Sequence, residues 1–285
     1  PKANCIINPK KNNGYIKYDY LCATTLVYFF LDLLSKKIKS KMIISDFLIY
    51  VLLATICDVM PLRKLNRLIA IVALKNFKIN KNLAFKELFD LLNKKSKLTI
   101  EDLGYIIGPI LNAGGRLGKS AFASELLSSN NQNIVNLKSQ ELIKLNNKRK
   151  KIEKLTLDEI NFEKIDKENE DIIVYYNPSI NEGLIGIIAA RLKDYFYKPA
   201  VVITSSAKTL KGSARSVHNY NVGRAIKNLS DKEIISSGGG HNMAAGFTLE
   251  KNKLSKFKDT ILKDFSNSMT IKNDVFLYDA EISTQ

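Results

Sequence analysis

Residues 238–246, with the sequence GGGHNMAAG, join three consecutive glycines to His241, one of only two histidines in the chain. Such a run is rare in a packed domain, because glycine weakens helices and strands alike. Bare backbone beside an imidazole suits the close approach of a phosphate group. The alternative is an ordinary glycine turn, after a short strand at residues 234–237, that carries a hydrogen-bonded histidine. The candidate phosphate-binding positions here are Gly238, Gly239 and Gly240.

A hydroxyl and a guanidinium lie two residues apart in the sequence KGSARS, residues 211–216. Side chains two positions apart on an extended segment project to the same side, so we expect Ser213 and Arg215 to lie together. The pair could hold a terminal phosphate, with the arginine giving a bidentate grip. The alternative is an edge-strand arginine in a surface ion pair.

A second glycine-rich segment, GPILNAGGRLG, covers residues 108–118. We interpret it as a loop before a helix that begins near Ser120. Loop amides and a helix N-terminus form a plausible anion site, to which Asn112 and Arg116 would add a polar side chain and a full charge. The alternative is an ordinary turn between helices.

Asp58 follows the apolar run of residues 52–57. A carboxylate at the C-terminal end of a buried helix is disfavoured by the helix dipole and by desolvation, so something should compensate it. Arg63 or Arg67 could form an ion pair with it. A hard divalent metal ion is the other possibility.

Composition narrows the function classes. A chain of 285 residues with 45% hydrophobic residues can form two domains with a real core. A net charge of +16 favours nucleic acid as partner, then an anionic membrane surface, although abundant lysine on a solvated surface would give the same excess. The three scattered cysteines have no metal-ligand spacing and fit a reduced, cytoplasmic protein. The long apolar stretches at residues 21–34 and 43–60 contain aspartates, so we expect buried helices and no membrane span.

The first 130 residues are rich in predicted helices. A short strand is expected at residues 5–8. Residues 20–35 and 43–57 are apolar on most faces and are expected to be buried helices. Further helices are predicted at residues 61–74, 81–92 and 99–107. In the last of these, Thr99 as N-cap and Asp102 three residues on form a variant of the capping box.

Residues 131–165 lack proline and glycine, which predicts one long, exposed connecting helix. Its expected apolar stripe is Ile134, Leu137, Leu145, Ile152 and Leu155. The basic run of residues 148–151 is expected to be a solvated face, with contact to phosphates as the alternative.

The pattern then alternates between strands and helices, which predicts a compact α/β domain. Strands are expected at residues 171–176, 200–205, 209–214, 234–237 and 244–249, and helices at 184–197, 222–229 and 254–265. Residues 275–282 resemble the first strand of a further module. Because the chain begins at Pro1 and ends just after that strand, we expect a piece of a longer protein.

In this order, residues 52–62, 108–118, 183–192, 212–216 and 238–246 resemble the RecJ family of single-stranded-DNA-specific exonucleases, within the DHH phosphoesterase superfamily. The resemblance implies part of a DHH domain at residues 1–130, a connecting helix at 131–167, an α/β DHH-associated domain at 168–268 and the start of an oligonucleotide-binding fold at 269–285. The family removes nucleotides from the 5′ end of single-stranded DNA, with two or more Mn²⁺ or Mg²⁺ ions bound by aspartates and histidines.

By motif, the resemblance implies that Asp58 is a metal ligand and that Ser213, Arg215 and Arg116 form the 5′-phosphate pocket. His241 would assist at the scissile phosphate together with the three glycines. The implied partner is single-stranded DNA with a 5′ end, with single-strand-binding protein as a further partner, and we expect a cytoplasmic monomer.

The chain also departs from the family pattern. With only His218 and His241 present, it has no Asp-His-His triplet, so most metal ligands are missing. Ile180 and Asn181 stand where the family commonly has Trp-His. Two rival functions remain open: a DHH phosphoesterase acting on short oligonucleotides or cyclic dinucleotides, and a non-catalytic nucleic-acid-binding scaffold.

Overall fold

The computed structural model describes residues 2–9, 18–168 and 170–268. The chain falls into two compact units, residues 1–148 and residues 149–285. The strand and module predicted within residues 269–285 lie outside the described residues. Within the described ranges, no helix combines the length and the apolarity needed to traverse a lipid bilayer.

The first unit is helical. Its helices are α1 (Ala23–Lys37), α2 (Leu48–Cys57), α3 (Lys64–Asn76), α4 (Leu83–Leu91), α5 (Gly108–Arg116) and α6 (Phe122–Ser128), followed by the start of α7 (Gln132–Asp158). α2 is apolar on all sides and lies in the core, as its sequence predicts, with Leu52 fully buried. The predicted strand at residues 5–8 is wrong, because these residues have no strand partner in the part of the chain that the structure describes.

α1 forms as predicted, but its expected burial is wrong. Thr25 is its only buried residue, while Phe30 and Leu33 are exposed. The apolar pattern therefore predicted the helix correctly but its burial incorrectly, because burial depends on which other elements cover a helix. The third helix begins at Lys64, after Pro61 rather than at it.

The capping box is confirmed. The Thr99 N–H donates to Asp102 Oδ2 at 2.8 Å, and the Asp102 N–H donates to Thr99 Oγ1 at 3.2 Å. Lys94 Nζ also lies 2.9 Å from Asp102 Oδ1. Burial alone would raise the pKa of Asp102, but the hydrogen bonds from Lys94 and Thr99 outweigh it and lower that pKa. This cap begins a helical stretch that contains a π-helical segment at Asp102–Ile107 and leads into α5.

The predicted connecting helix is two helices, α7 and α8 (Phe162–Glu168). The predicted apolar stripe is not the buried face of α7, since Ile134, Leu137 and Leu155 are exposed. In the basic run, three lysines are exposed as expected, but Arg149 is buried. Its Nη1 donates to Glu153 Oε2 at 2.8 Å, and Arg191 Nε donates to Glu153 Oε1 at 3.0 Å.

The second unit contains a five-stranded sheet in the order β1-β2-β3-β5-β4. Its elements are β1 (Ile173–Tyr176), α9 (Ile185–Phe196), β2 (Ala200–Ser206), β3 (Thr209–Arg215), α10 (Val222–Asp231), β4 (Ser237–His241), β5 (Ala244–Leu249) and α11 (Leu254–Ser268). β1 pairs parallel with β2, and the other pairs are antiparallel. One face packs against α9, and the other packs against α10 and α11. The predicted α/β alternation is confirmed.

The predicted strand at residues 234–237 is misplaced, because the glycine run itself is the strand. β4 pairs with β5 in the register Gly238↔Phe247, Gly239↔Gly246 and Gly240↔Ala245. A strand made of glycines has no alternation of hydrophobic and polar residues, so its sequence does not predict it. Its pairing with β5 in the structure shows that it is a strand.

Candidate functional site

Ser213 and Arg215 lie on the same face of β3, as predicted. Arg215 Nη1 donates to Ser213 Oγ at 3.0 Å and to the Ala214 carbonyl at 2.8 Å. Their cross-strand neighbours Val202 and Ala200 pack against α9. Because partners in an antiparallel pair share a face, the two polar side chains lie on the α9 face of the sheet.

The first turn of α9 lies directly against this pair. A Cβ at Gly186 would be 2.8 Å from Arg215 Nη2 and 3.1 Å from Ser213 Oγ. Only glycine therefore lets the guanidinium lie this close to the helix N-terminus, whose partial positive charge favours anions. The sequence signal for Gly186 was its place in the family-like segment 183–192, but its role in the site was not predicted.

The three consecutive glycines have different surroundings. A Cβ at Gly238 would be 2.8 Å from Ile226 Cγ2 of α10, and one at Gly240 would be 2.5 Å from Ala245 Cα. Gly239 has nothing within 4 Å of its Cβ position. Two of the glycines thus permit close packing, whereas Gly239 leaves open space.

Gly239 pairs with Gly246, whose Cβ position meets only the Gly212 carbonyl oxygen at 3.8 Å. Gly246 in turn pairs with Ser213. These register positions place a strip of bare, exposed backbone beside Ser213 on one face of the sheet. Gly246 belongs to the glycine-rich segment, but it was not among the predicted site residues.

His241 stands on the same face, across β5 from Arg215. Arg215 pairs with Ala244, and Ala244 pairs with His241, which separates the two side chains by two strand spacings, about 10 Å. His241 is exposed, and its Nδ1 accepts a hydrogen bond from the Met243 N–H at 3.3 Å. In the neutral ring this contact leaves the proton on Nε2, which is then a donor.

The predicted glycine-rich loop at residues 108–118 is wrong, because most of it is α5. A Cβ at Gly108 would be 2.6 Å from Cys57 Sγ, and one at Gly114 would be 2.6 Å from the Lys119 carbonyl oxygen. These glycines allow close packing within a helix, whose internal amides bond to its own carbonyls. The predicted anion site made of loop amides therefore does not form.

Asn112 and Arg116 are one helical turn apart on α5. Asn112 is exposed and Arg116 is half-buried. Residues four apart lie on the same side of an α-helix, and Gly115 beside them has nothing within 4 Å of its Cβ position. The two residues thus share a helix surface rather than a loop.

Asp58 ends α2 and is exposed, so the predicted desolvation is wrong. The predicted partner Arg63 instead lies 3.4 Å from Asp19 Oδ1 and over the Tyr20 ring. Burial raises the pKa of the neighbouring Cys57 thiol, and the Asp58 carboxylate raises it further. Among the described residues, no three His, Cys, Asp or Glu side chains are grouped to hold a metal ion. One exposed carboxylate fits a metal ligand but not a complete site.

The sequence comparisons agree with this architecture. Residues 169–267 match the DHHA1 domain family. The chain is 30% identical over 278 residues to the single-stranded-DNA-specific exonuclease RecJ of Salmonella typhimurium, covering 90% of this chain and 48% of that protein. It is 31% identical to the Escherichia coli RecJ, covering 75% of this chain and 39% of the relative. Over most of its own length the chain is similar to members of the RecJ family. It spans about half the length, or less, of these relatives.

Solved RecJ structures share the fold. The crystal structures of Thermus thermophilus RecJ with Mn²⁺ and with Mg²⁺ align with TM-scores of 0.69 and 0.68 at 23% identity. Each alignment covers 78% of this chain, and 33% and 35% of the two RecJ chains respectively. The α/β class predicted from the sequence, with a DHHA1 domain, is confirmed.

Proposed function

We propose that this chain is part of a metal-dependent 5′→3′ exonuclease acting on single-stranded DNA. The observation that carries the proposal is the α9 face of the sheet, where Ser213, Arg215 and His241 border the strip formed by Gly239 and Gly246. A phosphodiester can approach this backbone closely, because no Cβ stands in its way.

Each side chain has a distinct role in the proposal. Arg215 and Ser213 bind the terminal phosphate with charge-assisted hydrogen bonds and so set the polarity of degradation. The Nε2–H of His241 donates to a nonbridging oxygen of the scissile phosphate or to the leaving oxygen. Gly238 and Gly240, proposed from the sequence as phosphate contacts, instead allow β4 to pack closely.

The proposal also gives roles to three residues of the first unit. Arg116 and Asn112 on α5 add a charge and an amide for the phosphate chain. Asp58 is one ligand for Mn²⁺ or Mg²⁺, the ions named for the Thermus RecJ structures. When bound, such ions would activate water and stabilise the negative charge on the phosphoryl oxygens. The partner is single-stranded DNA with a 5′ end, and single-strand-binding protein is a further partner in the proposal.

The test uses the full-length protein that contains this chain, with single strands labelled at either end. We expect mononucleotides to be released from the 5′ end and Arg215→Ala to reduce kcat/KM about 100-fold, the loss of a charge-assisted contact. Lys208→Ala removes the same charge from the turn at the opposite end of β3 and should leave the rate unchanged. Degradation from the 3′ end, or cleavage confined to dinucleotides, would reject the proposal.

A separate expectation applies to residues 1–285 without the rest of the full-length protein. Their described part contains no group of three metal-ligating side chains, which favours binding without cleavage for this piece. We expect weak, salt-dependent binding of single-stranded DNA and no release of nucleotides in Mn²⁺. Strong Mn²⁺-dependent hydrolysis by these residues would contradict this expectation.

A further inference from the structure

His241 lies just before the turn that joins β4 to β5. Residues outside this hairpin contact the turn and fix its position. The Val222 N–H donates to the Asn242 carbonyl at 3.2 Å, and the Ser216 N–H donates to the Met243 carbonyl at 2.9 Å. A Cβ at Gly223 would lie 2.7 Å from the His241 carbonyl oxygen. The N-terminal end of α10 and the chain leading to it therefore set the position of the turn.

One side chain connects this helix end to the turn. Asn221 Oδ1 accepts a hydrogen bond from the Arg224 N–H at 2.9 Å and so caps α10. Its Nδ2 donates to Asn242 Oδ1 at 2.7 Å. The oxygen of the Asn221 amide accepts a hydrogen bond while its nitrogen donates one, so this position requires a side chain with both an acceptor and a donor. Serine or aspartate would provide only the cap.

The geometry points to Asn221 as a positioning residue for His241, acting through Asn242 and the Met243 amide. The Met243 N–H reaches His241 Nδ1 only if the turn keeps its shape, and this contact holds the neutral ring in the Nε2–H form. Asn221 thus selects the tautomer that donates to the phosphate. The catalytic role of Asn221 rests on the proposed function. The effect of Asn221 on the His241 tautomer does not depend on that function.

The direct test is the tautomer itself. The chain has only two histidines, so ¹⁵N-histidine labelling of residues 1–285 gives two imidazole patterns, which His218→Gln assigns. The spectra are recorded at about pH 8.5, some two units above the pKa of a free imidazole. We expect His241 to be predominantly Nε2–H, and Asn221→Ser and Asn242→Ala each to reduce the tautomer ratio about threefold.

Two features make the test specific. Asn221→Ser keeps a capping oxygen but is too short to reach Asn242, while Asn242→Ala leaves the cap untouched and covers the case in which the first variant does not fold. Asn82→Ser is the matched control, because Asn82 caps α4 by accepting from the Phe85 N–H and donates Nδ2–H to Tyr50. It should leave both histidine patterns unchanged.

The kinetic readout separates this inference from the proposed function. In the full-length protein, both variants should lower kcat by up to about threefold, the change in the tautomer ratio, with KM unchanged, since they alter the donor and not the phosphate pocket. An unchanged His241 tautomer ratio in both folded variants would overturn the positioning role, whatever the activity. A protein that does not degrade DNA from its 5′ end would overturn the proposed function and leave the tautomer result standing.

Discussion

The two glycine-rich segments, residues 108–118 and 238–246, look alike in sequence but form different structures. The first is mostly the helix α5, and the second is the strand pair β4 and β5. Both were expected to be phosphate-binding loops. Only the second leaves bare backbone on an open face, at Gly239 and Gly246. A glycine run therefore marks backbone that other atoms can approach closely. The neighbouring elements decide whether those atoms belong to the protein or whether the backbone stays open.

The largest expected effect is at Gly240. Its Cβ would clash with the Ala244 carbonyl oxygen and lie 2.5 Å from Ala245 Cα, and backbone atoms cannot move aside cheaply. Gly240→Ala should lower the free energy of unfolding by about 3 kcal/mol or more. Urea denaturation measures this loss. Gly239→Ala is the control, and its free energy of unfolding should lie within about 0.5 kcal/mol of the wild type because the Cβ position of Gly239 is open. Equal losses in both variants would remove the distinction between packed and open glycines.

The same contrast exists inside α5. A Cβ at Gly114 would be 2.6 Å from the Lys119 carbonyl oxygen and 3.1 Å from Leu142 Cδ2. Gly114→Ala should cost about 2 kcal/mol of stability. Gly115→Ala should instead stabilise the protein by about 0.5–1 kcal/mol, because alanine is the better helix former and meets nothing. Thermal or urea unfolding compares the pair, and a destabilising Gly115→Ala would argue against a helix here.

The cap that starts the stretch leading into α5 should respond to acid. The pKa of Asp102 is lowered in the folded protein, so its stabilisation is present above the ordinary aspartate pKa, near 4, and is lost as the pH falls towards the lowered value. Asp102→Asn should therefore cost about 1–2 kcal/mol at neutral pH and progressively less below about pH 4. Denaturation of both proteins across this pH range measures the difference. If the difference in unfolding free energy between the two proteins stayed constant down to about pH 2, the stabilisation would not come from the ionised Asp102 carboxylate.

The smallest effect concerns the open strip. Gly239→Leu places a side chain where a phosphate is proposed to lie, so the affinity of residues 1–285 for single-stranded DNA should fall about fivefold, or roughly 1 kcal/mol, with stability preserved. Fluorescence anisotropy at fixed salt measures the affinity. Ser255→Leu is the control, because Ser255 is exposed on α11, which packs on the opposite face of the sheet. An unchanged affinity for Gly239→Leu would mean that the open strip is not used.

Local patterns correctly predicted two features that depend on neighbours in sequence. Thr99 and Asp102 form the expected cap because a capping box closes within one turn. Ser213 and Arg215 meet because strand residues alternate in direction. Such signals failed at β4 and α5, since glycine carries no hydrophobic alternation and its helix penalty is outweighed when Gly108 and Gly114 pack tightly.

The sequence by itself determined the likeness to the RecJ family and the α/β class of the second unit, because the order of the motifs and the alternation of elements are properties of the chain. It also identified the side chains of the candidate site, Ser213, Arg215 and His241. Only the tertiary structure decided that Gly239 faces open space while Gly238 and Gly240 face protein, and that Asp58 is exposed. The physical reason is that the space beside a residue belongs to elements distant in sequence, and no local pattern encodes it.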